Sequence, residues 1–168
     1  VHAAKNRFER VRATVQRLEA IEPHHLEWRY LLARAEQGLA AVAYLRGRLA
    51  KARTALERLA SRLEALLEKE TGGSDAARRL RLRLERTACQ HLLLLGRVQL
   101  ERGKLDAAER ALDTAMARTD LAMETPAHEY DFHMQRTYIR TLMARADVAA
   151  RRGGQRRSAG VPAGGLHL

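Results

Sequence analysis

Cysteine occurs once in this chain, at position 89, which excludes an internal disulfide framework and any zinc or iron–sulfur cage built on thiolates. Aromatic residues make up only 4% of it, with one Trp and two Phe, and β-branched residues are few; a sheet protein draws on both to cover its pleated surface. No apolar run approaches the roughly 20 residues that a membrane span requires. The opening Val-His-Ala-Ala-Lys has no apolar stretch or small-residue cleavage pattern, so it is not a secretory signal. A cytoplasmic location without membrane association is expected, and the start on Val1 instead of Met reads as a segment of something longer. What is abundant is aliphatic and charged. The hydrophobic share is 46%, and 31 Lys and Arg stand against 20 Asp and Glu for a net charge of +11. That is too apolar for a disordered chain, and 168 residues suit one domain or a short repeat array.

Proline is rare, with three in all, and two of them, Pro23 and Pro126, stand between long stretches without any. Because Pro starts helices and Gly ends them, these two and the glycines at Gly47, Gly72–Gly73, Gly103 and Gly153–Gly154 mark off helical segments. The spacing predicts helices over 2–21, 25–46, 48–71, 75–102, 104–123 and 127–152. Ser74 or Asp75 can cap the fourth, accepting a free first-turn N–H, and Thr125 can cap the sixth ahead of Pro126. Arg79 to Leu84 alternates with the period of a half-buried strand, but no turn residues bracket it and helical sequence continues on both sides, so helix is expected there too. In the third segment Leu49, Ala52, Leu56, Leu59, Leu63 and Leu66–Leu67 form one stripe. In the fifth, Leu105, Ala108, Leu112, Ala115–Met116 and Ala122–Met123 do the same. Alanines at regular places let helix axes approach closely, favouring tight antiparallel pairs. Second apolar edges, as at Tyr138, Leu142 and Val148, call for further helices on either side. The expected fold is all-α, a stack of antiparallel helix pairs.

An internal repeat supports this. Gly47-Arg-Leu-Ala-Lys-Ala52 aligns with Gly103-Lys-Leu-Asp-Ala-Ala108, Ala55–Leu56 with Ala111–Leu112, Val42 with Val98 and Ala40 with Gly96, all 56 residues apart. Arg17-Leu-Glu-Ala20 matches Arg62-Leu-Glu-Ala65, and a third unit begins at Ala146-Asp-Val148. The stretch from Gly96 through Gly103 and Ala108 to Ala115 resembles a tetratricopeptide repeat. In that family small residues in both helices and a turn glycine permit close packing. Gly96, Gly103, Ala108 and Ala115 hold those places, as do Ala40, Gly47, Ala52 and Leu59 in the preceding unit. Leu59 is larger than the family pattern, Leu replaces most first-helix aromatics, and the unit exceeds the family's 34 residues by about 22, or roughly three extra turns per helix. The segment Glu22-Pro23-His24-His25-Leu26-Glu27-Trp28-Arg29 is similar to the link between long repeats in C-terminal regions of large bacterial signalling proteins, including Ser/Thr kinases and winged-helix regulators. The resemblance implies a helix-pair solenoid over 1–152. The stretch 153–168, with five of the eleven glycines and Pro162, reads as a flexible basic tail, with a further helix beginning at Gln155–Ala159 as the alternative.

Chemistry-bearing patterns are few. His128 and Glu129 with His133 suggest zinc, but two ligands on one helical face need a spacing of four, and these histidines are five apart. His24–His25 lies in a turn with no third ligand nearby. Cys89 and His91 face different directions on one helix, with Cys89 a buried thiol. Gly72–Gly73 follows a helix and lacks the Lys–Ser/Thr continuation of a phosphate loop. Acidic residues alternate with Arg, as in Glu57/Arg58/Arg62 and Glu85/Arg86, the spacing of surface ion pairs. No catalytic site, metal site or cofactor is expected, and the chain is read as non-enzymatic.

Function therefore rests on the surface. Arg supplies 27 of the 31 cations, and guanidinium grips carboxylates and phosphates bidentately. The resemblance implies a concave groove lined by the first helix of each pair: Arg34, Gln37, Ala41 and Tyr44, then Gln90, Leu93, Arg97 and Glu101, then Arg140, Met143, Asp147 and Arg151. Its positive character suits an acidic or C-terminal carboxylate peptide. Gln37 and Ala41 replace two of the residues of the family's chaperone-binding clamp. The leading expectation is a protein-interaction scaffold with an Arg-rich groove. A nucleic-acid module ranks second, because the dense run Arg78–Arg86 has almost no aromatics beside it for stacking. Self-association through the uncapped end helices is a third reading.

Overall fold

The computed structural model describes residues 1–23, 25–70, 72–123 and 132–159, and among these it is all-helical with no strand. Six helices follow one another: α1 (His2–Ile21), α2 (Leu26–Leu45), α3 (Leu49–Lys69), α4 (Asp75–Glu101), α5 (Leu105–Met123) and α6 (Phe132–Ala159). The first five match the expected segments to within two residues at each end. The Arg79–Leu84 alternation lies inside α4, and its helix starts as the sequence implies: the Ser74 hydroxyl oxygen accepts from the Ala77 N–H at 3.1 Å. Thr125, Pro126 and positions 127–131 lie outside the described residues.

Two helix ends repeat atom for atom. At the α2–α3 turn the N–H of Gly47 donates to Tyr44 C=O and that of Arg48 to Ala43 C=O; at the α4–α5 turn Gly103 donates to Leu100 and Lys104 to Gln99. Both are Schellman closures, which need a left-handed residue after the last helical one. Gly47 and Gly103 supply it with φ of 69° and 72°. Every partner in one turn lies 56 residues from its counterpart in the other. Gly153 and Gly154, in contrast, have no positive φ and do not end a helix. α6 runs through them to Ala159, correcting the expected tail, which was to begin at 153. A glycine stops a helix only where the chain can gain the left-handed closure; elsewhere it costs the helix about 1 kcal/mol and is tolerated.

Each helix packs on the next in sequence, and α2, α4 and α6 also touch in series. Leu59, Leu63, Leu66 and Leu67 of α3 meet Leu80, Leu84 and Ala88 of α4 and Tyr30 and Ala33 of α2. Ala40, Ala43, Ala52, Leu56 and Val98 form a second cluster, and Leu93, Leu100, Leu105, Ala108 and Leu112 a third, with Ala144 and Val148 of α6. Ala40, Ala52, Ala108 and Ala115 are fully buried. A Cβ on Gly96 would lie 2.6 Å from Cγ of Leu112. A second close approach had no counterpart in the repeat pattern, at Gly38, where a Cβ would overlap the Phe8 ring of α1.

Ion pairs run between helices more than the local spacing suggests. Arg62 reaches Glu36 on α2 at 2.5 Å, not Glu57, which pairs with Arg53. Arg118 of α5 holds Glu64 of α3 at 2.7 Å, and Glu85 pairs with Arg81. Arg83 of α4 binds Glu27 of α2 at 2.6 Å while its guanidinium lies over Tyr30.

Candidate functional site

Three helices present side chains at the same spacing to one cavity of about 330 Å3. α2 contributes Arg34, Gln37, Gly38 and Ala41, α4 contributes Gln90, Leu93, Leu94 and Arg97, and α6 contributes His133, Arg136, Thr137 and Arg140. Each set follows i, i+3, i+4, i+7, the residues of one helical face over two turns. Phe8 of α1, seated against Gly38, lines it as well.

The floor is fixed by polar contacts. Gln37 is buried, and its amide nitrogen donates to the Thr87 carbonyl at 3.1 Å, tying α2 to α4. The Arg34 guanidinium donates to Gln37 Oε1 at 2.9 Å and to Gln90 Oε1 at 3.1 Å. Arg34 and Gln90 are themselves 56 residues apart, so repeat-equivalent positions meet across the α2–α4 contact. Thr137 is buried and donates its hydroxyl to the His133 carbonyl.

Electrostatically the cavity is one-sided. Arg34, Arg97, Arg136 and Arg140 line it, and no carboxylate among the described residues does. Arg97, Arg136 and Arg140 have no carboxylate partner among the described residues, whereas Arg62, Arg83, Arg118, Arg145 and Arg152 each have one. Four guanidinium groups around one small volume repel one another, and an anion seated among them would relieve that repulsion with charge-assisted hydrogen bonds.

Of the groove residues expected from the sequence, Arg34, Gln37, Ala41, Gln90, Leu93, Arg97 and Arg140 come together here. The others do not. Tyr44 packs against the cluster of Ala40, Ala43, Ala52, Leu56 and Val98. Glu101 and Arg151 pair with each other at 3.5 Å, and Arg151 also donates to the Leu100 carbonyl. Asp147 and Met143 are exposed away from the cavity. The discrepancy is a register shift on α6, where the cavity set begins at His133, one heptad earlier than a set ending on Arg140, Met143, Asp147 and Arg151 requires. A shift of seven residues rotates a helix face by only about 20°, so apolar phase alone cannot detect it. Arg136 and His133 were missed for this reason, although Arg136 stands one turn from Arg140 on the same face.

Elsewhere, His91 lies fully buried in α4 with neither ring nitrogen hydrogen-bonded among the described residues. Burial lowers its pKa to about 4, with the Glu64 carboxylate opposing weakly. Cys89 is buried beside Ala122 and Met134; burial raises its thiol pKa, against a hydrogen bond with Thr119. His24, His128 and Glu129 lie outside the described residues, and His25 stacks on Trp28. No group of three or more His, Cys, Asp or Glu among the described residues is placed to hold a metal ion, and none of their helices is long and apolar enough to cross a membrane. No protein-family model, curated protein or solved structure matches the chain.

Proposed function

We propose that this chain is a non-enzymatic interaction scaffold, a tetratricopeptide-like solenoid of antiparallel helix pairs whose groove on α2, α4 and α6 holds an acidic segment of a partner protein. The observation that carries it is the convergence of Arg34, Arg97, Arg136 and Arg140 on one cavity that no carboxylate among the described residues lines. The duplicated Schellman turns and the contact between Arg34 and its repeat equivalent Gln90 support the stacked-repeat reading. A rigid wall of this kind gains on-rate and partner discrimination from its charge more than raw affinity. The test is binding of the purified chain to a pooled peptide library and to random duplex DNA, in parallel, at two salt concentrations. Selection of acidic peptides, lost in Arg97→Glu, is the expected result. DNA binding that falls steeply with salt and shows no peptide selectivity would transfer the function to nucleic acid.

Self-association is a second reading, favoured by the outer face of α6. Phe132, Ile139, Leu142 and Met143 are exposed there, with Ala146 and Ala149 continuing the three-and-four spacing. Light scattering tests it: a monomer at high concentration removes this reading, and a dimer that Ile139→Glu dissociates establishes it.

A further inference from the structure

A second cleft lies on the other side of α2. The groove face of that helix carries Gln37 and Ala41, whereas this cleft is floored by Leu39 and Ala43, about 200° away at 3.6 residues per turn. α1 and α3 both pack extensively on α2, and the space between them is a cavity of about 340 Å3. Its base is apolar, made by Leu39, Val42 and Ala43 of α2 and Ala55 of α3. Its rim is cationic. Lys5 and Arg12 stand on α1, Arg46 and Arg48 at the α2–α3 turn, and Lys51 and Arg58 on α3. Two carboxylates share the rim and both are engaged, Glu9 by Lys5 at 2.8 Å and Glu36 by Arg62 at 2.5 Å. The hydrogen bond from Lys5 is the main reason the Glu9 carboxyl lies below its usual range, with smaller contributions from Arg12 on the same wall and Lys51 on the opposite one.

We infer that this cleft docks an acidic amphipathic helix of a partner protein, its apolar stripe against the half-buried Leu39 and Ala55, which lie over the buried Val42 and Ala43, and its carboxylates against the Lys51 and Arg58 wall. An apolar base between two cationic walls matches the cross-section of such a helix, an apolar stripe flanked by charge. Nucleic acid fits less well, since no aromatic side chain lines the cleft for stacking and a phosphate backbone gains nothing from a recessed apolar floor. A second copy is also a poor occupant, because the exposed apolar face of α6 is flanked by Arg136, Arg140 and Arg145 and would bring like charge to like. An extended peptide would find no free backbone edge in a wall of helices.

The test uses the full chain and a fluorescein-labelled peptide of about 18 residues, five helical turns. The peptide carries leucines at i, i+3, i+4 and i+7 and glutamates elsewhere, and binding is read by anisotropy. Measured in the Arg97→Glu background, which silences the groove, Lys51→Glu/Arg58→Glu reverses two exposed charges and is expected to weaken binding at least tenfold, while Arg110→Glu, exposed on α5 away from both sites, leaves it unchanged. Should the reversed variant lose its helical circular dichroism, Lys51→Gln/Arg58→Gln gives the same reading with a smaller loss. Four results would overturn the inference: no binding; equal binding of a peptide with its leucines scattered round the helix; displacement of the peptide by duplex DNA acting through the same lysine and arginine; or a chain that dimerises through this cleft, becoming monomeric in the reversed variant. Loss in Arg97→Glu alone would move the peptide to the groove and leave the cleft without a ligand.

Discussion

Replacing His91 with leucine is expected to leave the stability of this protein unchanged or slightly raised at neutral pH and to remove part of its acid sensitivity. The imidazole is fully buried in α4 with both nitrogens unpartnered among the described residues, and each buried polar atom left unbonded costs about 1–3 kcal/mol. Leucine is close in volume but not in shape, and imperfect fit returns about 1–3 kcal/mol. His91→Leu at pH 7.5 is therefore expected to be neutral or to gain about 1 kcal/mol, where most core substitutions lose. The pH dependence is sharper. Burial lowers the pKa of His91 from 6.5 to about 4. Above pH 6.5 the ring is neutral in both folded and unfolded chains, so no proton-linked difference exists. Between 6.5 and 4 the unfolded chain takes up a proton that the folded chain refuses, and stability falls as pH falls. Below about 4 both states are protonated and the loss is complete, amounting to about 3 kcal/mol at about 1.4 kcal/mol per unit. Urea titrations followed by circular dichroism, run on the wild-type chain and on His91→Leu from pH 7.5 to 4, isolate this contribution, because every carboxylate is common to both. The stability difference should widen by about 3 kcal/mol across that range in favour of the variant. Parallel pH profiles, or a loss above 2 kcal/mol in His91→Leu at pH 7.5, would refute the reasoning.

Three further outcomes follow from the packing. Gly103→Ala forces a Cβ onto a residue with φ of 72° and should cost about 1–2 kcal/mol in thermal unfolding; a neutral result would mean the turn re-forms another way. Gly96→Ala sets a Cβ against Leu112, and the net cost of about 1 kcal/mol, overpacking less the gain in helix propensity, should shrink alongside Leu112→Val. Additivity in that double-mutant cycle would contradict the contact. Cys89, buried with its pKa raised, should resist iodoacetamide at pH 8 in the folded chain and react readily in urea; equal rates would show that α4 opens at Cys89 far more often than its packing implies.

The sequence was informative where a residue type has one structural use. Gly47 and Gly103 read as turn residues because a helix end that leaves through the left-handed region needs glycine, and their surroundings repeat. Gly153 and Gly154 read the same way and misled, because nothing in the residues themselves says whether the chain turns there. The α2 and α4 faces of the groove were legible since the 56-residue offset carries Arg34 onto Gln90 and Ala41 onto Arg97. The α6 face was not, because a heptad shift hardly alters a helix's apolar phase. Phe8 against Gly38 could have been sought, since an isolated glycine within a helical pattern often marks a close approach. The inter-helix pairs Arg62–Glu36 and Arg118–Glu64 could not, as neither arginine has an acid three or four residues away and spacing along one helix says nothing of a partner on another.

The order in which these helices touch also bears on how the chain reaches its structure. Among the described residues every large packing surface joins a helix to its immediate successor, and the other substantial ones skip a single helix. Each contact therefore closes a loop of a few tens of residues, and no strand has to find a distant partner. Low contact order of this kind places helical domains in the microsecond-to-millisecond range of folding times. A nascent chain could thus complete α1 to α3 as a unit while α5 and α6 are still being made.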